Sequence, residues 1–208
     1  MERDPLFCQK LLAKFREREP VSDSEFDLLY PEPVRALSGF HWTPVSVAKR
    51  AAELCVTKPG ARVLDVGSGA GKFCIVGELS TLGIFVGVEQ RESLVEAART
   101  VVRELQIPRI QFILNDMAAI PWGAYDSIYL YNPFSENLDE SIRIDSQCEL
   151  SAEHYIRYVQ QTQAKLTHLC TGTRIVTLNG FGGDFPPTYK LIHEEKAQGL
   201  PLEVWERL

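Results

Sequence analysis

The 208-residue sequence predicts an α/β protein: a doubly wound, mostly parallel sheet with helices on both faces and a C-terminal antiparallel hairpin. Three observations carry this expectation. Short, continuously apolar strands alternate with amphipathic helical stretches from residue 43 onward. Three glycines at alternating positions separate the first strand from the helix that follows it. The final stretch, "YKLIHEEKAQGLPLEVWERL", holds two strand-like segments around a Gly-containing turn.

Composition sets the bounds. Hydrophobic residues make up 45% and charged residues 24%, as in an ordinary globular domain. No apolar run approaches the roughly 20 residues that span a bilayer, so no membrane partner is expected. The N-terminus, "MERDPLFCQKLLAKFREREP", is charged and lacks a signal-peptide core, which predicts a cytoplasmic location. Cys8, Cys55, Cys74, Cys148 and Cys170 are scattered with no C-x-x-C pair, and the four histidines show no metal spacing. Neither a disulfide framework nor a metal site is expected. The net charge of −6 counts against phosphate-driven binding of nucleic acid.

Residues 1–42 read as a helical extension, a possible lid, and residues 43–208 as the main domain. "LFCQKLLAKFRERE" has apolar residues at helical spacing, and "YPEPVRALSGF" breaks regularity with two prolines and a glycine. In "TPVSVAKRAAELC", Thr43 is expected as N-cap with Pro44 at the first helical position. "ARVLDV" is a buried strand. A helix is expected over residues 71–80 and a second strand over 84–89. Ser93 and Glu96 suggest a capping box opening the next helix. Further strands are expected over 110–116, 127–132 and 173–179, with a long helix over 152–169 capped by Ser151.

The glycine run carries the chemistry. Gly67, Gly69 and Gly71 follow a strand and open a helix, where a sharp turn and a close ligand both exclude side chains. A nicotinamide or flavin fingerprint would place its third glycine at position 72, which is Lys72. Asp65, two residues before the first glycine, suits a ligand with a positive end. Glu89 closes the second strand, where a carboxylate can accept from both ribose hydroxyls. Asp116 closes the third, where an adenine amine could be met. Lys72 and Gln90 read as surface residues.

The segments D-V-G-S-G-A-G, V-G-V-E and N-D together resemble the class I S-adenosylmethionine-dependent methyltransferases, over about residues 43–208. The terminal hairpin fits that fold, whose last strand is inserted antiparallel. The resemblance implies that Asp65, Gly67, Ser68, Gly69 and Gly71 cradle the methionine part of S-adenosylmethionine. It implies that Glu89 holds the ribose, and that Asn115, Asp116 and Met117 meet the adenine. Trp42 and Thr43, with His41, are expected against the donor from the segment before the first main helix.

"YLYNPFSEN" resembles the N-P-P-Y/F motif of amino-methylating enzymes, with one proline missing. By that resemblance Asn132 accepts from the target nitrogen beside Pro133, and Phe134 stacks on the group that carries it. Tyr131 adjoins it. "GFGGDFPPTY" is a loop that could gate the acceptor pocket. The expected activity is S-adenosylmethionine-dependent N-methylation of a protein side chain or a small molecule. The alternatives are nucleic-acid adenine methylation and a non-catalytic scaffold that retains the fold. A dehydrogenase is disfavoured by Lys72.

Overall fold

The computed structural model of the protein describes residues 4–208, so the first three residues of the predicted extension lie outside the described residues. Helices α1 (Pro5–Glu17), α2 (Asp23–Phe26), α3 (Glu32–Arg35) and α4 (Ser38–His41) precede α5 (Val45–Cys55). The alternating part follows as β1 (Arg62–Val66), α6 (Lys72–Ser80), β2 (Ile84–Glu89), α7 (Glu92–Leu105) and β3 (Ile110–Leu114). It continues through β4 (Ser127–Tyr131), α8 (Ala152–Thr167) and β5 (Arg174–Leu178) to the hairpin β6 (Tyr189–Ala197) and β7 (Leu200–Arg207).

The seven strands lie in the order β3-β2-β1-β4-β5-β7-β6. The first five are parallel, and β7 is antiparallel to both β5 and β6. Chain order reverses between β1 and β4, so a crevice is expected at their C-terminal ends. Side chains alternate between two cores, as strand geometry demands. Val63, Phe85, Tyr129 and Val176 point to the face covered by α1, α5, α6 and α7. Leu64, Val86, Ile128 and Ile175 point to the face covered by α8 and the Trp122 turn.

Several local expectations give way to contacts made at long range. Pro44, not Thr43, is the N-cap of α5. The free amide of Val45 is satisfied by Asp23 Oδ1 at 2.8 Å, which leaves the Thr43 hydroxyl to bond Tyr129 Oη at 2.9 Å. The Ser93–Glu96 box does not open α7. The helix starts at Glu92, because Glu89 Oε1 already takes the amides of Gln90 and Arg91 at 2.9 Å each. Strands β4 and β5 stop one residue short of expectation, because Asn132 and Asn179 have positive φ. Ser151 does cap α8, accepting from His154 N at 3.1 Å.

The largest correction concerns Lys72. It is 3% exposed, and its ammonium lies 2.6 Å from Asp23, 2.8 Å from Asp27 and 3.2 Å from Ser38 Oγ. It is buried because residues 23–42 fold over the start of α6. Phe26, Leu29 and Tyr30 join the same core as α5 and α6, and Tyr30 Oη donates to Ala70 O at 2.9 Å. Lys72→Ala should lower unfolding free energy by about 3 kcal/mol in urea melts, since it strands the buried Asp27 carboxylate. A loss below about 0.5 kcal/mol, the scale of a surface pair, would show the ion pair to be incidental.

Candidate active site

The C-terminal ends of β1, β2, β3 and β4 enclose a cavity of about 360 Å³. Its lining includes every residue singled out from the sequence for donor or acceptor binding except Gly71. Gly71 is set by packing instead. It caps α6 with φ 82°, and a side chain there would collide with the Phe112 ring. Gly69 is different. A Cβ built there meets nothing nearer than Trp42 Nε1 at 3.9 Å, so its face of the loop is open to the cavity. The loop hangs from β2 through Gly67 N and Ser68 N, both donating to Val88 O at 3.0 Å. The Ser68 hydroxyl is buried against Gly87 of β2 with no hydrogen-bond partner among the described residues.

Four carboxylates line the cavity, and the three singled out from the sequence differ in their partners. Asp65 is 4% exposed, and its one side-chain partner is the Cys74 thiol, which donates to Oδ2 at 3.5 Å. Burial pushes its carboxyl up to about 7, with the thiol bond opposing and nearby Glu89 adding to the rise. Among the described residues no cation is paired with it. Glu89 is well supplied: Oε2 accepts from Gly69 N at 3.0 Å, and Oε1 from Gln90 N and Arg91 N. Burial raises it, while these amides and the Arg91 charge pull the other way. Asp116 turns Oδ1 to Ala118 N at 2.7 Å and accepts from Tyr158 Oη at Oδ2, 2.9 Å. Asn115 Oδ1 accepts from Asp116 N at 2.8 Å, and Met117 is buried beside them.

The segment after β4 forms a further wall of the cavity. Asn132 lines the cavity with φ 36°, and Pro133 approaches Gly67. Phe134 is 5% exposed and stacks on Tyr158 of α8, with centroids 5.3 Å apart and planes at 14°. One ring face is therefore taken by the protein. Trp42 packs edge-on to Tyr30 and lines the cavity beside Gly69. His41 also lines it, its imidazole pushed down chiefly by burial.

Sequence reasoning missed Arg91, Glu136 and Tyr158. The Arg91 guanidinium pairs with both oxygens of Glu136, at 3.2 and 2.9 Å, and with Asp145 at 3.2 Å. It ties the segment after β4 to the end of β2. The position of Arg91 two residues after Glu89 was a usable signal; Glu136 had none. The loop 180–189 does not line the cavity. Phe181 and Tyr189 are buried in the α8 core, and Phe185 packs against it.

A family model described as a methyltransferase domain matches residues 57–167. Comparison with curated proteins gave no match. Among solved structures, the chain is similar to an RNA methyltransferase from Salinibacter ruber in complex with S-adenosyl-L-homocysteine. Identity is 20% over 80% of this chain and 93% of that one, with a TM-score of 0.60. It is similar to TrmN from Thermus thermophilus at 20% identity and TM-score 0.61, over 83% of this chain and 52% of that one. A mutant of MtNAS in complex with S-adenosylmethionine matches at 14% identity and TM-score 0.59, over 88% of this chain and 74% of that one. At these identities the likeness is one of fold, and the class I methyltransferase-like architecture expected from the sequence is the one found. The family model spans more than half of the chain, and the chain belongs to the methyltransferase-domain family.

Asp65 yields a stability prediction. Its folded pKa lies above the unfolded carboxylate value, so the folded chain favours the protonated form. The penalty grows as pH rises through the unfolded value and is complete above about 7. Asp65→Asn should therefore be more stable than wild type by ~2–4 kcal/mol at pH 8, with the gap closing near pH 4. Equal stability at pH 8 in chemical melts would show that Asp65 carries no uncompensated charge.

Proposed function

We propose that this methyltransferase-family chain binds S-adenosylmethionine in the cavity and N-methylates a protein side chain or a small molecule. One observation carries the donor half of the reading: Asp65 is a buried carboxylate facing open space without a cation. An α-ammonium group placed beside Gly67 and Gly69 supplies the missing countercharge. Glu89 has lone pairs left for ribose hydroxyls, since three backbone amides occupy only part of its capacity. Asp116 and Met117 offer a polar edge and an apolar face to an adenine.

When bound, the sulfonium supplies an activated methyl and a neutral thioether leaving group. The protein's task is then alignment of an acceptor along the carbon–sulfur axis and exclusion of water. Asn132 accepts from the N–H of that acceptor and stabilises the positive charge that builds on it. No strong base is needed, because the proton leaves after transfer. Phe134, with one face on Tyr158, acts as a wall of the site rather than an open platform for a planar base. That favours an amine or amide acceptor over a nucleobase. Nucleic-acid adenine methylation is the second reading, supported by the N-P-F sequence and opposed by the net charge of −6. No helix among the described residues is long and apolar enough to cross a membrane. We place the reaction in the cytoplasm, where scattered thiols stay reduced.

Calorimetry should show micromolar binding of S-adenosylmethionine and S-adenosylhomocysteine and none of NAD. Glu89→Ala should weaken both adenosyl ligands by about tenfold or more. Asn132→Ala should bind them like wild type yet lose transfer in a labelled-methyl acceptor screen. NAD binding in place of the adenosyl ligands would refute the donor assignment. Turnover by Asn132→Ala equal to wild type would remove Asn132 from the reaction.

A further inference from the structure

Among the described residues, five non-glycine positions hold positive φ: Arg18, Gln106, Asn132, Asn179 and Gln198. Local structure accounts for three. Arg18 and Gln106 are left-handed C-caps of α1 and α7, and Gln198 sits in the turn between β6 and β7. The remaining two are asparagines, the first residues after β4 and β5, with φ of 36° and 58°. Tyr131 pairs with Leu178, the last pair of that ladder, so Asn132 and Asn179 are the residues that follow the ends of two neighbouring strands. Their backbone amides are satisfied, Asn132 N by Gly180 O at 3.0 Å and Asn179 N by Pro201 O at 2.9 Å. Both residues line the cavity, and neither carboxamide has a hydrogen-bond partner among the described residues.

Glycine is the residue such backbones favour, and the chain uses it at Gly67, Gly69, Gly71, Gly180 and Gly182 around the same strand ends. Keeping asparagine at two of these positions sacrifices some stability and gives the cavity wall two carboxamides, one from the end of each neighbouring strand. We propose that Asn179 is a specificity-determining residue of the acceptor subsite, acting with Asn132 to grip the N–H of an uncharged nitrogen acceptor. The inference rests on the adenosylmethionine reading above. The chemistry suits the pairing. The attacking nitrogen must keep its lone pair, and a carboxylate at this place would favour the protonated, unreactive form. A carboxamide oxygen accepts the N–H without doing so. In the transfer itself the nitrogen–carbon bond forms as the carbon–sulfur bond breaks. The bonding pair goes to sulfur, and the extra proton on nitrogen goes to solvent.

The test needs no acceptor. In sinefungin, an amine-bearing carbon stands where the donor has its sulfonium and methyl, so the amine points toward the acceptor groups. Calorimetry with the full chain compares sinefungin with S-adenosylhomocysteine. Asn179→Gly keeps the left-handed backbone at no steric cost and removes only the carboxamide. It should weaken sinefungin by about tenfold and leave S-adenosylhomocysteine within about twofold. Asn179→Asp sets a carboxylate opposite the amine and should tighten sinefungin selectively. Unchanged sinefungin affinity in both variants overturns the proposal. So does an equal loss of both ligands, which would make Asn179 a residue of the fold alone. A wild-type chain that binds neither ligand overturns the donor reading beneath it.

Discussion

The Glu89 carboxylate is the constraint on which the site depends. It closes β2 and takes three backbone amides, one from the glycine loop after β1 and two from its own strand–helix junction. Those bonds set the loop's distance from β2 and start α7 two residues earlier than side-chain capping would. Next to it, 3.9 Å away, Arg91 carries the constraint across the crevice to Glu136 and Asp145. One buried acid–base pair thus joins the glycine loop to the segment that holds Asn132 and Phe134. A charge-assisted network of this kind holds geometry tightly, and it fails as a unit when one member is removed.

A second buried charge does the same work on the outside. Lys72 opens α6, and its partners Asp23 and Asp27 come from the N-terminal helices. Asp23 also caps α5. The N-terminal residues therefore reach the glycine loop from behind, through α6. They reach the cavity from in front, through Trp42 and His41. Between these two arms lies Tyr30, bonded to Ala70 O inside the glycine loop and edge-on to Trp42.

The sequence was informative where chemistry is local. Continuous apolarity marked β1, β2, β4 and β5 to within a residue or two, because strands buried on both faces leave that signature, while β3, half-exposed at the sheet edge, was read from its place in the alternation. The glycine loop was legible because positive φ restricts the residue type. Charged partners at long range were not legible. Lys72 reads as exposed until residues 23–42 are seen to cover it, and Thr43 reads as a cap until Asp23 is found in that role. Phe134 was expected to offer a ring face, and that Tyr158, on a helix 24 residues on, takes one of its two faces was not legible. Asn179 carried no signal, since an asparagine ending a strand is ordinary until its φ and its neighbour on β4 are known.

The reversal of strand order that opens the crevice also bears on how the chain finds its fold. Val63 of β1 pairs with Ser127 of β4, the widest sequence separation of any strand pairing in the sheet. The β1–β2–β3 half can assemble from contiguous chain, each strand following the last through one helix. Joining β4 requires closing a far longer loop before any of its contacts is rewarded. On that ground the seam between β1 and β4 is expected to close late, and it is the same seam that brings Pro133 against Gly67 of the glycine loop. The residues singled out for the donor stand at the ends of β1, β2 and β3 and those singled out for the acceptor follow β4, so a methyltransferase-family chain that had closed only its first three strands would hold the former without the latter.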